Sequence, residues 1–172
     1  MRYLILYMSH HGTTRRVAKQ LSELLGKENV TVVDLSMDRL PDLAAYHTVI
    51  IGGSIHAGKI QGKVRKFCEA HQEELLHKRI GLFLCYLDKA RGHEEFHNSF
   101  PHDLIEHAVV HGFFGGEFLF NEMNFLERMI VRKISGVQKD VSELDTSAIR
   151  SFTESILMED HEHPRALEDT AV

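Results

Sequence analysis

The sequence predicts an α/β fold: a doubly wound sandwich whose five-stranded parallel sheet, in the order 2-1-3-4-5, carries helices on both faces. Five short apolar runs alternate with stretches of helical periodicity, which is typical of a parallel sheet. Polar loops follow the first, third and fourth runs. In the order 2-1-3-4-5 these loops meet at the carboxyl edge of the sheet, where such folds bind ligands. The length of 172 residues fits one domain with a sizeable core.

The first strand, its loop and the first helix come at the start of the chain. Residues 3–8 are almost wholly apolar, as suits a strand covered on both faces, and apolar residues recur at helical spacing across residues 17–25. The loop between them would face the free N–H groups and positive dipole of the helix start, where Arg15 and Arg16 are unfavourable unless an anion binds. It is therefore either a phosphate cradle or simply a capped turn. Its residues are Ser9, His10, His11, Gly12, Thr13 and Thr14.

The remaining elements follow from the same patterns. The fifth strand is expected to be buried, because its composition is apolar. A single domain is expected over residues 1–160, followed by a frayed tail at 161–172. Further strands are predicted at residues 30–35, 48–53, 79–86 and 108–117, and further helices at about 62–77, at 93–107 with an interruption near Pro101, and at 147–158.

Composition argues against several classes of protein, including nucleic-acid-binding, secreted and membrane-spanning proteins. The net charge of −5 argues against broad nucleic-acid binding. Cys68 and Cys85 lie in apolar surroundings and form no CxxC pair, as expected for reduced cysteines of a cytoplasmic protein. We see no secretory signal and no apolar run long enough to span a bilayer. His93 and His97 could share a helical face, but no further cluster completes a zinc pattern, so we expect no structural metal.

Two loops and one insertion resemble a known family. Ser9, Gly12 and Thr14 match the S/T-x-T-G-x-T phosphate loop of the flavodoxin family, with His11 in place of a threonine, and the resemblance covers almost the whole chain. More narrowly, the chain resembles the flavodoxin-like, menaquinone-dependent protoporphyrinogen IX dehydrogenases. That group has a G-x-S-I-x-x-G loop, matched at residues 52–58, and an added basic and hydrophobic segment after the fifth strand, matched in place at residues 118–136.

The resemblance implies FMN as the cofactor. Backbone N–H groups of residues 11–14 and nearby hydroxyls would bind its phosphate, and the two later loops would hold its ring. Because the chemistry then belongs to the flavin, we assign no catalytic side chain. The candidate ring-side residues are Gly53, Ser54, Ile55, His56, Gly58, Tyr86, Leu87, Asp88 and Gly92.

The same resemblance implies oxidation of protoporphyrinogen IX or another apolar reductant, with electrons passed to a quinone or a redox partner. The alternative is a non-enzymatic electron carrier that serves protein partners. Lys59, Lys63, Lys89 and Arg91 favour an anionic substrate or partner. The segment 118–136 is either an amphipathic helix packed on the domain or a docking face for a membrane, a quinone, a bulky substrate or a second subunit.

Overall fold

The structure, a computed structural model, describes residues 1–56, 58–86, 91–118 and 141–162. Its main sheet has five parallel strands, and the predicted order is confirmed. In chain order the strands are β1 (Tyr3–Tyr7), β2 (Val30–Asp34), β3 (Thr48–His56), β4 (Lys59–Ile60), β5 (Arg79–Cys85) and β6 (Val110–Phe113). The parallel strands run in the order β2-β1-β3-β5-β6, and the short strand β4 pairs antiparallel with the end of β3.

Helices follow the strands as the periodicity predicts. Two 3-10 turns, Lys27–Asn29 and Leu43–Ala45, lead into β2 and β3. A separate two-stranded antiparallel sheet joins β7 (Glu117–Phe118) to β8 (Val141–Ser142). The helices are α1 (Thr13–Leu24), α2 (Gly62–Ala70), α3 (Gln72–Leu76), α4 (Gly92–His97), α5 (His102–His107) and α6 (Thr146–Glu162).

The core lies in two layers because successive strand residues point to opposite faces of the sheet. On one face, Ile5, Ile50 and Phe83 pack with residues of α1 and α6. On the other face, Leu4 and Leu82 pack with residues of α2 to α5. Every residue of β1 is buried, as expected for a strand covered on both sides.

The bounds of several elements differ from the prediction. The helix expected over residues 62–77 breaks at His71, whose backbone N–H donates to the Phe67 carbonyl at 3.0 Å and whose carbonyl accepts from the Leu75 N–H at 2.9 Å. The third strand does not end at Gly53 but continues to His56, because it folds back as a hairpin with β4.

The prediction of a buried fifth strand was wrong. It is the edge strand β6, shorter than expected, with His111 exposed and Val110 and Phe113 half-buried. The predicted order already placed this strand at the edge of the sheet, where one side lacks a neighbouring strand, and apolar composition alone does not show how much of an edge strand is covered.

Parts of the predicted segments lie outside the described residues. The insertion at 118–136 is described only at Phe118, and the tail only at residues 161 and 162, where α6 continues. Among the residues that are described, no helix is both long and apolar enough to cross a membrane.

Gly81 provides a test of the close packing between β5 and α6. A Cβ at Gly81 would lie 2.7 Å from Phe152 Cζ, so Gly81→Ala should lower the free energy of unfolding by about 1–3 kcal/mol. Gly62→Ala is the matched control, because a Cβ there meets nothing within 4 Å, and we expect no loss or a gain of about 0.5 kcal/mol. Urea unfolding of both variants measures the difference, and equal midpoints would contradict the packing.

Candidate functional site

The loop between β1 and α1 folds as a tight cradle. Gly12 takes a left-handed conformation, with φ 88°, and its N–H donates to Ser9 Oγ at 3.0 Å. The first turn of α1 has no acidic residue, and within the described chain no side chain caps it. The positive end of the helix therefore has no built-in anion, which suits it to an external one.

Thr14 is the residue of this cradle that most clearly points to a ligand. Its side chain is fully buried, and its Oγ1 has no hydrogen-bond partner among the described residues. A buried hydroxyl without a partner costs about 1–3 kcal/mol. A phosphate oxygen would accept that hydrogen bond, so the cradle fits a phosphate group. Thr13 is also buried, whereas His11 is half-buried and His10 exposed.

The Arg15 side chain contacts residues at the ends of β1 and β2. Its Nη2 lies 3.5 Å from Asp34 Oδ2, and a hydrogen bond to the Tyr7 hydroxyl, followed by the Tyr7 and Asp34 charges, raises the pKa of Arg15. Burial alone would raise the pKa of Asp34, but hydrogen bonds from the Ser36 hydroxyl and N–H, at 2.6 and 2.9 Å, together with Arg15, lower it below its ordinary value. Asp34 is therefore the partner of the Arg15 side chain and does not cap the helix.

A side-chain clamp fixes the second predicted loop. The Ser54 N–H donates to Gln61 Oε1 at 2.9 Å, and Gln61 Nε2 donates to Ser54 Oγ at 2.6 Å. Gly53 is required by this clamp, since a Cβ there would lie 2.5 Å from Gln61 Oε1 and 2.9 Å from Ile60 Cγ1. The side-chain amide of Gln61 therefore holds the hairpin together. Gly58 lies in the turn, with φ 76°.

The third loop is also packed against itself. A Cβ at Gly92 would lie 2.5 Å from Tyr86 Cε2, so the half-buried Tyr86 ring packs directly on Gly92. The same ring meets Phe113 edge-on, with centroids 6.2 Å apart. The two ring-side loops meet where a Cβ at Gly58 would lie 3.6 Å from Arg91 Nη2.

The described residues that flank the insertion lie beside this site. The Tyr86 N–H donates to the Gly115 carbonyl at 2.8 Å, which joins the third loop to the segment after β6. The Glu143 N–H donates to the Gly116 carbonyl of the same segment at 2.9 Å. The described chain on both sides of residues 119–140 is therefore joined to the segment that contacts Tyr86.

A groove of about 700 Å³ starts at the Gly58 turn and runs between α2 and the α4–α5 connection. Lys59, Arg65 and His97 line it, together with the apolar residues Ile60 and Phe100. Its volume lies in the range of small-molecule sites.

The described members of the predicted site lie at or after the carboxyl ends of β1, β3 and β5. Ser54, Ile55 and the backbone of His56 lie in β3, whereas Leu87 and Asp88 lie outside the described residues. Sequence reasoning missed Gln61 and Asp34. The predicted strand order placed Asp34 beside Tyr7, which was a usable signal, but no signal pointed to Gln61. In the described part of the chain, no group of His, Cys, Asp or Glu is arranged to hold a metal ion.

Comparison with known proteins gives a family and a fold. A family model described as Flavodoxin domain matches residues 4–145. No curated protein matches the chain. Many solved structures share its fold at low identity, which shows the fold alone, and three of them are described next.

Rubredoxin oxygen:oxidoreductase from the anaerobe Desulfovibrio gigas is 13% identical, with 96% of this chain covered and a TM-score of 0.59. This chain spans only 37% of that protein. A short-chain flavodoxin associated with a non-canonical PDU bacterial microcompartment is 13% identical over 92% of this chain and 99% of its own, with a TM-score of 0.57. Two-electron reduced Megasphaera elsdenii flavodoxin is 15% identical over 89% and 96%, with a TM-score of 0.53.

The lowered pKa of Asp34 predicts a pH-dependent contribution to stability. Asp34→Asn should lower the free energy of unfolding by about 1–3 kcal/mol at pH 7. Because the folded pKa lies below the ordinary value of about 3.9, the charged form stabilises the fold above that pH, and its contribution is lost as the pH falls through the folded pKa. Urea unfolding at pH 7 and pH 3 measures the change. The exposed Glu23→Gln control should stay within about 0.5 kcal/mol, and a pH-independent Asp34→Asn effect would contradict the assignment.

Proposed function

The chain belongs to the flavodoxin domain family, which implies FMN as its cofactor, and from this we propose an FMN-dependent oxidoreductase that oxidises an apolar, anionic reductant. Protoporphyrinogen IX is the proposed reductant and a quinone the proposed acceptor. The observation that carries the cofactor assignment is the buried Thr14 hydroxyl, which lacks a partner within the described residues of a cradle built for an anion.

The residues present fit FMN. The N–H groups at the start of α1 and the hydroxyls of Ser9, Thr13 and Thr14 would hold the phosphate. The Gly58 turn and Tyr86 would border the ring. Bound FMN supplies one- or two-electron redox chemistry, while the protein orients it and sets its potential.

The groove beside Gly58 supports an anionic, partly apolar substrate. Ile60 and Phe100 give it apolar surface and Lys59 adds a positive charge, while Arg65 is paired at 2.8 Å with Glu69, which also lines the groove. A porphyrinogen has an apolar macrocycle and anionic propionates, which match this distribution. Each two-electron oxidation would release two electrons and two protons and reduce one quinone to quinol.

The segment 118–136 gives a second reason to propose a quinone. The described residues before it, Gly115 and Gly116, lie beside Tyr86, and its sequence carries apolar residues at helical spacing. We propose that it contacts the quinone or the membrane surface that holds it. A second subunit is the other partner that would fit an apolar face.

A non-enzymatic electron carrier is the second candidate. The exposed surface of α2 carries Lys63, Arg65 and Lys66, which would suit docking of an acidic protein. A carrier would exchange electrons with a reductase but would not turn over a porphyrinogen. An assay of porphyrinogen oxidation therefore distinguishes the two functions.

Thr14→Val tests the cofactor site. This substitution removes a hydroxyl without a described partner and keeps the side-chain shape, so stability should stay the same or rise, while FMN affinity should fall about tenfold or more. Thr153→Val is the control, because the buried Thr153 hydroxyl donates to the Ile149 carbonyl at 2.9 Å in α6 and should affect stability but not FMN. FMN titration, followed by fluorescence, measures both, and an unchanged affinity of Thr14→Val would remove the phosphate assignment.

The double variant Lys59→Glu with Arg65→Glu tests the substrate. It reverses the charge at the groove and should lower kcat/KM for protoporphyrinogen IX about tenfold with menaquinone as acceptor, while FMN affinity stays constant. Lys19→Glu, on the exposed surface of α1 at the opposite face of the sheet, is the control. Porphyrin fluorescence follows turnover. Equal values for the variant and the control would contradict the groove as the substrate site, and no turnover by the FMN-loaded wild type would favour the carrier.

A further inference from the structure

The two ring-side loops meet at a charged contact that the proposed function does not use. A Cβ at Gly58 would lie 3.6 Å from Arg91 Nη2 and 3.9 Å from Glu95 Oε1. Arg91 Nε lies 4.0 Å from the same carboxylate oxygen. The turn of the hairpin therefore packs against an ion pair that belongs to the start of α4.

The two members of this pair differ in burial. The Glu95 side chain is 6% exposed, whereas the Arg91 side chain is 56% exposed. A carboxylate this buried is costly unless an opposite charge compensates it, and Arg91, one helical turn earlier, supplies that charge. The buried Glu95 side chain has little freedom to move, whereas the exposed Arg91 side chain can be positioned by it.

Gly58 is explained by its backbone. Its left-handed φ of 76° favours glycine, whereas a Cβ there would meet Arg91 and Glu95 only at ordinary van der Waals distances. An exposed arginine without a partner samples many rotamers. Here the Glu95 carboxylate lies 4.0 Å from Arg91 Nε and next to the hairpin turn, where it can favour the rotamer that faces Gly58.

We propose that Glu95 is a positioning residue that holds the Arg91 guanidinium against the Gly58 turn, and that the held charge raises the reduction potential of the bound cofactor. This inference rests on the proposed function, since it assumes that FMN lies against these loops. Reduction adds negative charge to the ring, so a nearby fixed cation stabilises the reduced form.

The direction in which Glu95→Gln changes the reduction potential distinguishes a positioning role of Glu95 from a direct effect of its charge on the flavin. If Glu95 acted on the flavin only through its own negative charge, Glu95→Gln would raise the potential. If Glu95 acts by holding Arg91, Glu95→Gln lowers the potential in the same direction as Arg91→Gln. We expect each variant to shift the oxidation equilibrium of bound FMN about tenfold toward the oxidised form, or about 30 mV for a two-electron couple.

The measurement is a redox titration of the FMN-loaded variants against a dye of known potential. Arg91→Lys should keep most of the wild-type potential, because it keeps the charge. Glu94→Gln is the matched control, one residue earlier and exposed, and should not lower the potential. In the Arg91→Gln background, Glu95→Gln should cause no further fall. A rise or no change for Glu95→Gln in the wild-type background would overturn the proposal.

A second measurement needs no flavin. In the apo-protein, Arg91→Gln and Glu95→Gln should both speed amide hydrogen exchange in β4 and at Gly58, while Glu94→Gln should not. Unchanged exchange in both variants would overturn the holding contact itself. If the wild type bound no FMN but this exchange effect appeared, the proposed function would fail while the contact stood. Because Arg91 is mostly exposed, Arg91→Gln keeps the test available if Glu95→Gln does not fold.

Discussion

Parallel pairing of β3 with both of its neighbours is the constraint on which the site depends. The register joins Tyr7 to Gly52 on one side and Ser54 to Cys85 on the other. Because these strands run in the same direction, the loops that follow β1, β3 and β5 all emerge at one edge, next to each other. Both faces of the sheet are covered by core clusters, so a one-residue slip would expose buried side chains and is strongly disfavoured.

The loops at this edge are held by contacts within the protein. The Gln61 amide clamps the hairpin, Tyr86 packs on Gly92, and the Tyr86 N–H is tied to Gly115. Glycines in these loops are thus explained by neighbouring side chains and need no ligand. Contacts that are made before binding reduce the entropy lost when a ligand arrives, so this packing of the described loop residues favours affinity as well as stability.

Near the phosphate cradle, one buried polar group stabilises the fold and another is available to bind a ligand. Asp34 accepts hydrogen bonds from Ser36 and pairs with Arg15, and its charge supports the fold at neutral pH. Thr14, in the first turn of α1, is buried with a hydroxyl that the described residues leave without a partner. Native proteins satisfy most buried polar groups, and an exception in a loop of this kind is explained most simply by a ligand. The fold therefore bears a small cost that anion binding would remove.

The sequence by itself determined the fold class, the strand order and the place of the loop from Ser9 to Thr14, because apolar runs and helical periodicity are local signals that survive in any compact arrangement. It could not determine that β3 turns back into a hairpin, that the edge strand β6 is only partly buried, or that the helix after β4 breaks at His71. The hairpin, for example, is held by the hydrogen bonds between Gln61 and Ser54. Only the tertiary structure decided these features, because contacts between particular groups leave no periodic trace in sequence.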